Sequence, residues 1–279
     1  MANNINLVTK FQPLLDEVYK AASLTGDLEG GAVKFDGTKT VKVLKLTVPE
    51  LGAYTRNSGY TQGDVTADWE SFTLTQDRGT EFSVDAMDDE ETLNMTFGNA
   101  SSEFIRRSVV PQVDAYRFAA MAQAEGIGSG EAALATADAA IKAINAGMMA
   151  MDEAEVTPEG RILYLTPTLH GLITELETYK SKACLQRFAK IFQVPQSRFY
   201  TKVDISDAGF AKNADGKNIN FMIVEPKAAF AVAKHKKLRV FDPDTNQKRD
   251  DYLFQYRLYH DMFVYPQKAA GIYCHNATT

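Results

Sequence analysis

The chain is poor in cysteine and histidine, carries no excess of basic charge, and has no long apolar run. Each scarcity removes a class of function. The two cysteines, Cys184 and Cys274, are far apart in sequence and neither sits in a CxxC pair, which excludes a disulfide framework and a zinc knuckle. They read as two buried thiols of a reducing compartment. Of the four histidines, His170, His235, His260 and His275, only His275 adjoins a second metal-ligand type, Cys274. Neighbours on a strand face opposite ways, so that pair is a poor chelate. A formal net charge of -6 argues against a dedicated nucleic-acid binder. The opening stretch MANNINLVTKFQPLLDEVYKAASLT has neither the apolar core of a signal peptide nor the length of a membrane span, and no membrane partner is expected. The triplets beginning at Asn94, Asn99 and Asn276 then read as chance matches to the glycosylation pattern.

Catalytic signatures are equally scarce. GxGxxG, GxxxxGK[ST], GxSxG, HExxH and a DxDxDG calcium loop do not occur. GIGSG (126–130) follows a helical pattern rather than a strand, so it reads as a joint between two parts of the fold. Catalytic, cofactor-binding and metal-binding residues are therefore all read as none, no cofactor is expected, and the chain is read as not an enzyme. The strongest contrary stretch is FQYRLYHDMFVY (254–265), where His260, Asp261 and Arg257 crowd together. On a strand, Phe254, Tyr256, Leu258, His260, Met262 and Val264 share one face, and Gln255, Arg257, Tyr259, Asp261, Phe263 and Tyr265 the other. His260 and Asp261 then cannot form a dyad. The strand is expected to pack on the long helix, with Arg257 and Asp261 available for outside contacts.

What is present is an ordinary folded composition, 45% hydrophobic and 24% charged over 279 residues, enough for one large domain or two smaller ones. Helical spacing after Pro13 predicts a short helix over 13–22, followed by a flexible joint at GDLEGG (26–31). VKVLKLTV (41–48), ESFTLTQ (70–76) and EFSVDAM (81–87) alternate as strands. Between the first two lies a polar stretch, PELGAYTRNSGYTQGDVTADW. A hairpin over 41–76 with arms of roughly eighteen residues reaches up to roughly 60 Å. A compact chain of this length has a radius of gyration near ~19 Å. The hairpin must fold back or project.

Leu93, Phe97, Ala100, Phe104, Val109, Val113, Tyr116 and Ala120 step along a helix over 89–124, about 50 Å long if continuous. Asp88 and Asp89 suit its cap, Glu90 and Glu91 its dipole, Pro111 predicts an interruption, and Gly126 ends it. A hinge-like link at EGIGSGE (125–131) leads to a helix capped by Thr136, with Ile141, Ile144, Met148 and Met151 on one face. TPEG (157–160) reads as a turn, RILYL (161–165) as a buried strand, and Thr166-Pro167 as the start of another helix. KIFQVP (190–195) and FMIVE (221–225) read as strands, PKAAFAVAK (from 226) as a short helix, LRVFDPD (238–244) as a strand into a turn, and the chain closes on two strands. This alternation across 131–244 suggests an α/β-type unit. The basic runs around Lys234–Arg239 and Lys180–Lys190 read as solvated faces.

The order of elements resembles the major capsid proteins of tailed bacteriophages, a fold shared with encapsulin shells. QDRGTEFSVDAMDDEETL (76–93), FIRRSVVPQVDAYRF (104–118), RILYLTP (161–167), VPQSRFY (194–200), KHKKLRVFDPD (234–244) and FQYRLYHDMFVYPQKAAGIY (254–273) carry the likeness. It implies an α+β fold of N-terminal arm (1–32), extended β-hairpin loop with flanking strands (33–88), long spine helix of a peripheral domain (89–126), axial domain (127–245), and C-terminal strands returning to the peripheral domain (246–279). It implies a coat protein that self-assembles into pentamers and hexamers of an icosahedral shell around double-stranded DNA. The virion capsid is then its location and the host bacterial cytoplasm its place of assembly. Implied partners are further copies of the chain, a portal, packaged DNA held by weak non-specific contact, and optionally a decoration protein. The removable N-terminal scaffolding segment of some relatives is expected to be absent, which implies a separate scaffolding protein. A lysine–asparagine crosslink is not carried over, although Lys39, Lys42 and Lys45 lie in the loop region. An encapsulin-like compartment shell is the alternative, and an α/β enzyme using His260, Asp261 and Arg257 a remoter one.

Overall fold

The computed structural model describes residues 23–30, 34–37, 39–54, 56–57, 59–60, 62–87, 96–176, 178–244, 246 and 249–278. The helix expected over 13–22 and the capping acids Asp88, Asp89, Glu90 and Glu91 lie outside these residues.

Among the described residues, four sheets and a set of helices make an α+β fold. The first sheet is a hairpin, β2 (Thr40–Thr47) and β3 (Thr66–Thr73), edged by β1 (Lys34–Asp36). Its ladder runs from Thr40↔Thr73 to Thr47↔Thr66. The paired arms are thus eight residues, not eighteen. The strand expected over 70–76 ends at Thr73, and β4 (Gln76–Asp85) takes over after Leu74 and Thr75. β4 forms the second sheet with two long strands, β11 (Ala229–Phe241) and β12 (Asp251–Val264), in the order β11-β12-β4, all antiparallel.

The long helix is built in three pieces. α1 (Thr96–Phe104) passes into a π-type turn over Ile105–Val109, closed by Val110 N–H donating to the Ile105 carbonyl, and α2 (Val110–Ala122) follows. Pro111 explains the break. It has no N–H for the Arg107 carbonyl, and its ring would strike that carbonyl in a regular helix. The wider turn makes room for it.

The third sheet has the order β5-β13-β10-β6-β7, with β5 at Gly128–Glu131, β6 at Ile162–Leu165, β7 at Lys190–Gln193, β10 at Ile219–Val224 and β13 at Ile272–Asn276. β13 pairs parallel to β5, and β6 parallel to β7. Three helices, α3 (Ala137–Glu153), α4 (Pro167–Glu175) and α5 (Tyr179–Leu185), start at caps Thr136, Thr166 and Thr178, whose hydroxyls accept from the third N–H onward. Both faces of this sheet are covered. Ile162 and Tyr164 pack with Phe118 and Met121 of α2, while Leu163 and Leu165 pack with Ile144 and Met148 of α3. A strand buried on both faces must be apolar throughout, and ILYL is. Gly147 of α3 is required by this packing, because a Cβ there would lie 2.7 Å from the Tyr273 ring. A small hairpin, β8 (Val203–Ser206) and β9 (Gly209–Lys212), completes the set.

Three expectations fail here. PKAAFAVAK is not a helix: after a turn at 226–228 the chain enters β11, where Ala229, Phe230, Ala231 and Val232 are all buried. Alanine favours helix, but pairing along the whole of β12 overrides that preference. GSGE (128–131) is not a joint but strand β5, whose bare glycines admit the Tyr273 side chain of β13: a Cβ on Gly130 would meet its hydroxyl at 2.4 Å. GDLEGG is not a free joint either, since Gly26–Leu28 form a 3-10 turn with Leu28 buried and Glu29 bridged to Ala231.

Candidate functional site

Two regions draw attention, one turned outward and one inward. The hairpin β2–β3 has two unlike faces. On one face Val41 and Phe72 sit at its root, where Phe72 lies 5.0 Å from Phe263 and 5.7 Å from Phe230, ring to ring. Val41 and Leu74 are buried there, and Leu74 N–H donates to the Lys39 carbonyl at 2.8 Å. The other face pairs Leu44 with Trp69 and Leu46 with Ala67, and Val48 and Val65 continue it beyond the ladder. That row is open: Leu46 is 58% exposed, Val48 69%, Val65 64% and Trp69 53%. Tyr54 and Tyr60 beyond it are exposed too, their rings 5.0 Å apart. Scattered exposed apolar residues are ordinary, but a contiguous row on one strand face marks an interaction surface. Asp68 and Glu70 occupy the opposite face, so the apolar row is sided.

The inward region lies where residues 23–29 meet α2. Asp114, fully buried, accepts from Leu24 N–H at 3.1 Å, from Thr25 N–H at 3.3 Å and from the Thr25 hydroxyl at 2.7 Å. Arg198 reaches it at 3.3 Å. One turn on, buried Arg117 donates to Thr25 Oγ1 at 2.9 Å and pairs with Glu29 at 2.7 Å. Burial raises the Asp114 carboxyl above its ordinary range, against the pull of Thr25, Leu24 and the two guanidiniums. Two acids and two arginines thus balance in a desolvated cluster, which pins the segment after residue 22 to the helix. Sequence reading missed this cluster. Its signal was a charged pair three apart, Asp114 and Arg117, inside an otherwise apolar helical stripe.

The residues weighed for catalysis do not converge. His260 is buried with the α2-facing side of β12, its ring edge-on to Tyr116 at 5.7 Å. Burial, then the charge of Arg117, holds its pKa down at about 3, so it is neutral. Asp261 is also buried and saturated: it accepts from Thr75 N–H at 2.7 Å, the Thr75 hydroxyl at 2.9 Å, Met262 N–H at 2.8 Å and the Tyr116 hydroxyl at 2.6 Å. Burial and that carboxylate push the Tyr116 phenol up to about 12. Contrary to the expectation above, Asp261 is therefore not open to outside contacts but fastens the β3–β4 junction to the helix. Arg257 is exposed and forks onto Asp77 at 2.9 and 2.6 Å. That partner holds the Asp77 carboxyl below its usual range. Of the basic run, Lys237 and Arg239 are exposed on the same sheet face as Arg257. His275 stacks on Phe221 at 4.8 Å while Cys274 points into the core, so adjacent residues do diverge. Among the described residues no three His, Cys, Asp or Glu side chains gather as a metal site, and no helix is long and apolar enough to cross a membrane.

No family model and no curated protein matches the sequence. Solved structures do match. The capsid structure of Cyanophage P-SCSP1u superposes with a TM-score of 0.63 at 12% identity, covering 92% of this chain and 89% of that one. A virus-like particle from Pyrococcus furiosus gives 0.62 at 13%, covering 96% and 98%. The mature capsid of bacteriophage PhiM1 gives 0.62 at 13%, covering 88% and 83%. The identities are low and the coverage nearly complete, so what is shared is the whole architecture. The chain has the fold of tailed-phage major capsid proteins.

Proposed function

We propose that the chain is a capsid subunit that assembles with copies of itself into pentamers and hexamers of an icosahedral shell enclosing double-stranded DNA. The observation that carries this reading is the open apolar row Leu44, Leu46, Val48, Val65 and Trp69 on a hairpin anchored at its root. An isolated globule gains nothing from such a row, whereas a second copy covering it gains the hydrophobic free energy of burial. The capsid structures sharing the fold support the same reading, and they point away from an enzyme, as does the failure of His260, Asp261 and Arg257 to converge.

On this reading residues 1–32 are the arm, 33–88 the extended loop, 89–126 the spine of a peripheral domain, 127–245 the axial domain and 246–279 the returning strands. A separate scaffolding protein, a portal and packaged DNA are the partners, with room for a decoration protein. Assembly takes place in the host cytoplasm. The coverage of the Pyrococcus furiosus particle favours a second reading, a shell holding protein cargo instead of a genome. Electron microscopy of the purified protein, with and without a co-expressed scaffolding protein, tests the proposal. Closed shells or rings are expected, and a monomer under every condition sinks it. Nuclease-protected DNA inside the particles selects the first reading, and enclosed protein the second.

A further inference from the structure

The sheet β11-β12-β4 carries its charge unevenly. β11 is an end strand, and beyond the Glu29–Ala231 bridge its outer edge is unpaired among the described residues. On the face away from the helix, His235, Lys237 and Arg239 project from β11 in steps of about 7 Å. A hollow of about 140 Å³ lies among them and Arg257. A second, of about 370 Å³, adjoins it at His235 and Arg257 and adds Lys39 and Lys234. The acids of this face, Asp77, Glu81 and Asp85, stand on the far strand, β4. Asp77 is held by the Arg257 fork, and Glu81 accepts from the Gln255 amide at 2.6 Å. Among the described residues, Lys237 and Arg239 have no acid partner. A chain of formal net charge -6 thus gathers bases along one free edge.

We propose that this edge docks an extended acidic segment of another protein, added as a further strand beside β11. Backbone and side chains point to the same occupant. The free N–H and C=O groups of a sheet edge pair with an extended chain. Strand geometry then sets that chain's side chains in alternation, so acids at every second residue meet Lys237 and Arg239. The residues between them lie on the helix side, next to Leu238 and Val240, where uncharged apolar groups fit. Lysine at an edge commonly wards off other strands. Here the guard is selective: it repels the β11 edge of a second copy and draws an acidic strand. Width disfavours double-stranded DNA. Strands are spaced about 4.8 Å, which puts the β4 acids about 10 Å from the β11 row. A single added strand stays clear of them. A duplex, with a charge per ~1.7 Å of axis, would set phosphates against Glu81 and Asp85. The edge is complete in one chain, so this docking stands or falls apart from shell formation.

Fluorescence anisotropy of a labelled nine-residue peptide alternating glutamate with valine, titrated with the full-length protein, tests this. Saturable binding is expected, at least about ten-fold tighter than for a peptide of the same composition with its glutamates grouped at one end. Lys237→Glu with Arg239→Glu, both at exposed positions, should weaken it at least about ten-fold. Glu81→Gln, on the far strand, should change it by less than about two-fold. Methylating alternate peptide amides should abolish binding in the phase whose N–H groups face β11 and spare it in the other. The proposal is overturned if grouped and alternating peptides bind alike, if the double reversal leaves binding unchanged, or if both methylated peptides bind as the parent does. It is equally overturned if duplex DNA displaces the peptide at lower concentration than unlabelled peptide does, which marks a nucleic-acid surface. Loss of particle formation in the double reversal overturns it too, by marking a contact between copies.

Discussion

Strand β12 and the β2–β3 hairpin are made of similar residues and end differently. In β12, Phe254, Tyr256, Leu258 and Met262 are buried under the long helix, and Asp261, which accepts from Tyr116 of that helix, is buried as well. Among the described residues the hairpin is covered at its root, and from Leu44 outward the apolar row Leu44, Leu46, Val48, Val65 and Trp69 is exposed. β12 is central in its sheet, with β11 and β4 on either side and α2 beneath. The hairpin's sheet stands on a patch of aromatic residues, Phe72, Phe230, Phe263 and Tyr265, with one side of its outer half bare. Equal hydrophobicity therefore serves two purposes. That of β12 holds a single chain together, and that of the hairpin, on the proposed function, serves association with a second copy.

Substitutions can separate the two roles. Leu46→Ser, Val48→Ser and Trp69→Ser combined should abolish particles in light scattering while shifting the subunit's own unfolding free energy by less than about 1 kcal/mol, since surface changes seldom do more. A large loss of subunit stability would show the row to be internal. Phe254→Ala should do the reverse. Its ring, stacked on Phe82 at 4.5 Å, leaves a core void worth about 4 kcal/mol in urea unfolding. Asp114→Ala removes one acid from a buried cluster and takes the partner from Arg198 and from the Leu24 and Thr25 donors, at a cost of about 3 kcal/mol. It should also make the chain around Thr25 newly susceptible to limited proteolysis. The smallest effect is a pH slope. His260 folds neutral with its pKa depressed from 6.5 to about 3, so its stability is full above about pH 6.5 and is lost as pH falls toward 3. Between pH 6.5 and 5 the loss is about 2 kcal/mol at about 1.4 kcal/mol per pH unit. His260→Gln should flatten that part of the acid branch, and an unchanged slope would assign it to other groups.

Local signals in the sequence were read well where local chemistry decides. Thr136 and Thr166 cap the helices they were expected to cap, and Ile141, Ile144, Met148 and Met151 share the buried face. The two-faced reading of 254–265 predicted the packing of β12 on the helix. Errors came where distant partners decide. AFAVAK took its strand form from β12, and GSGE from β13. The fate of Asp261 hinged on Thr75 and Tyr116, residues far away in sequence. The apolar hairpin row was visible as alternation, but its exposure was not, because alternation does not say which face is covered.

The cluster at Asp114 also fixes a load path. A pull entering the chain at Ser23 meets Asp114 and Arg117 first, then Arg198, and through Glu29 the first residues of β11. Tension is thus delivered to the rigid body at α2 and does not have to travel through the hairpin, which is riveted separately by Leu74, Asp261 and Tyr259. The chain at Ser23 and the root of the hairpin thus end on neighbouring residues of one helix, Asp114 and Arg117 for the first and Tyr116 for the second.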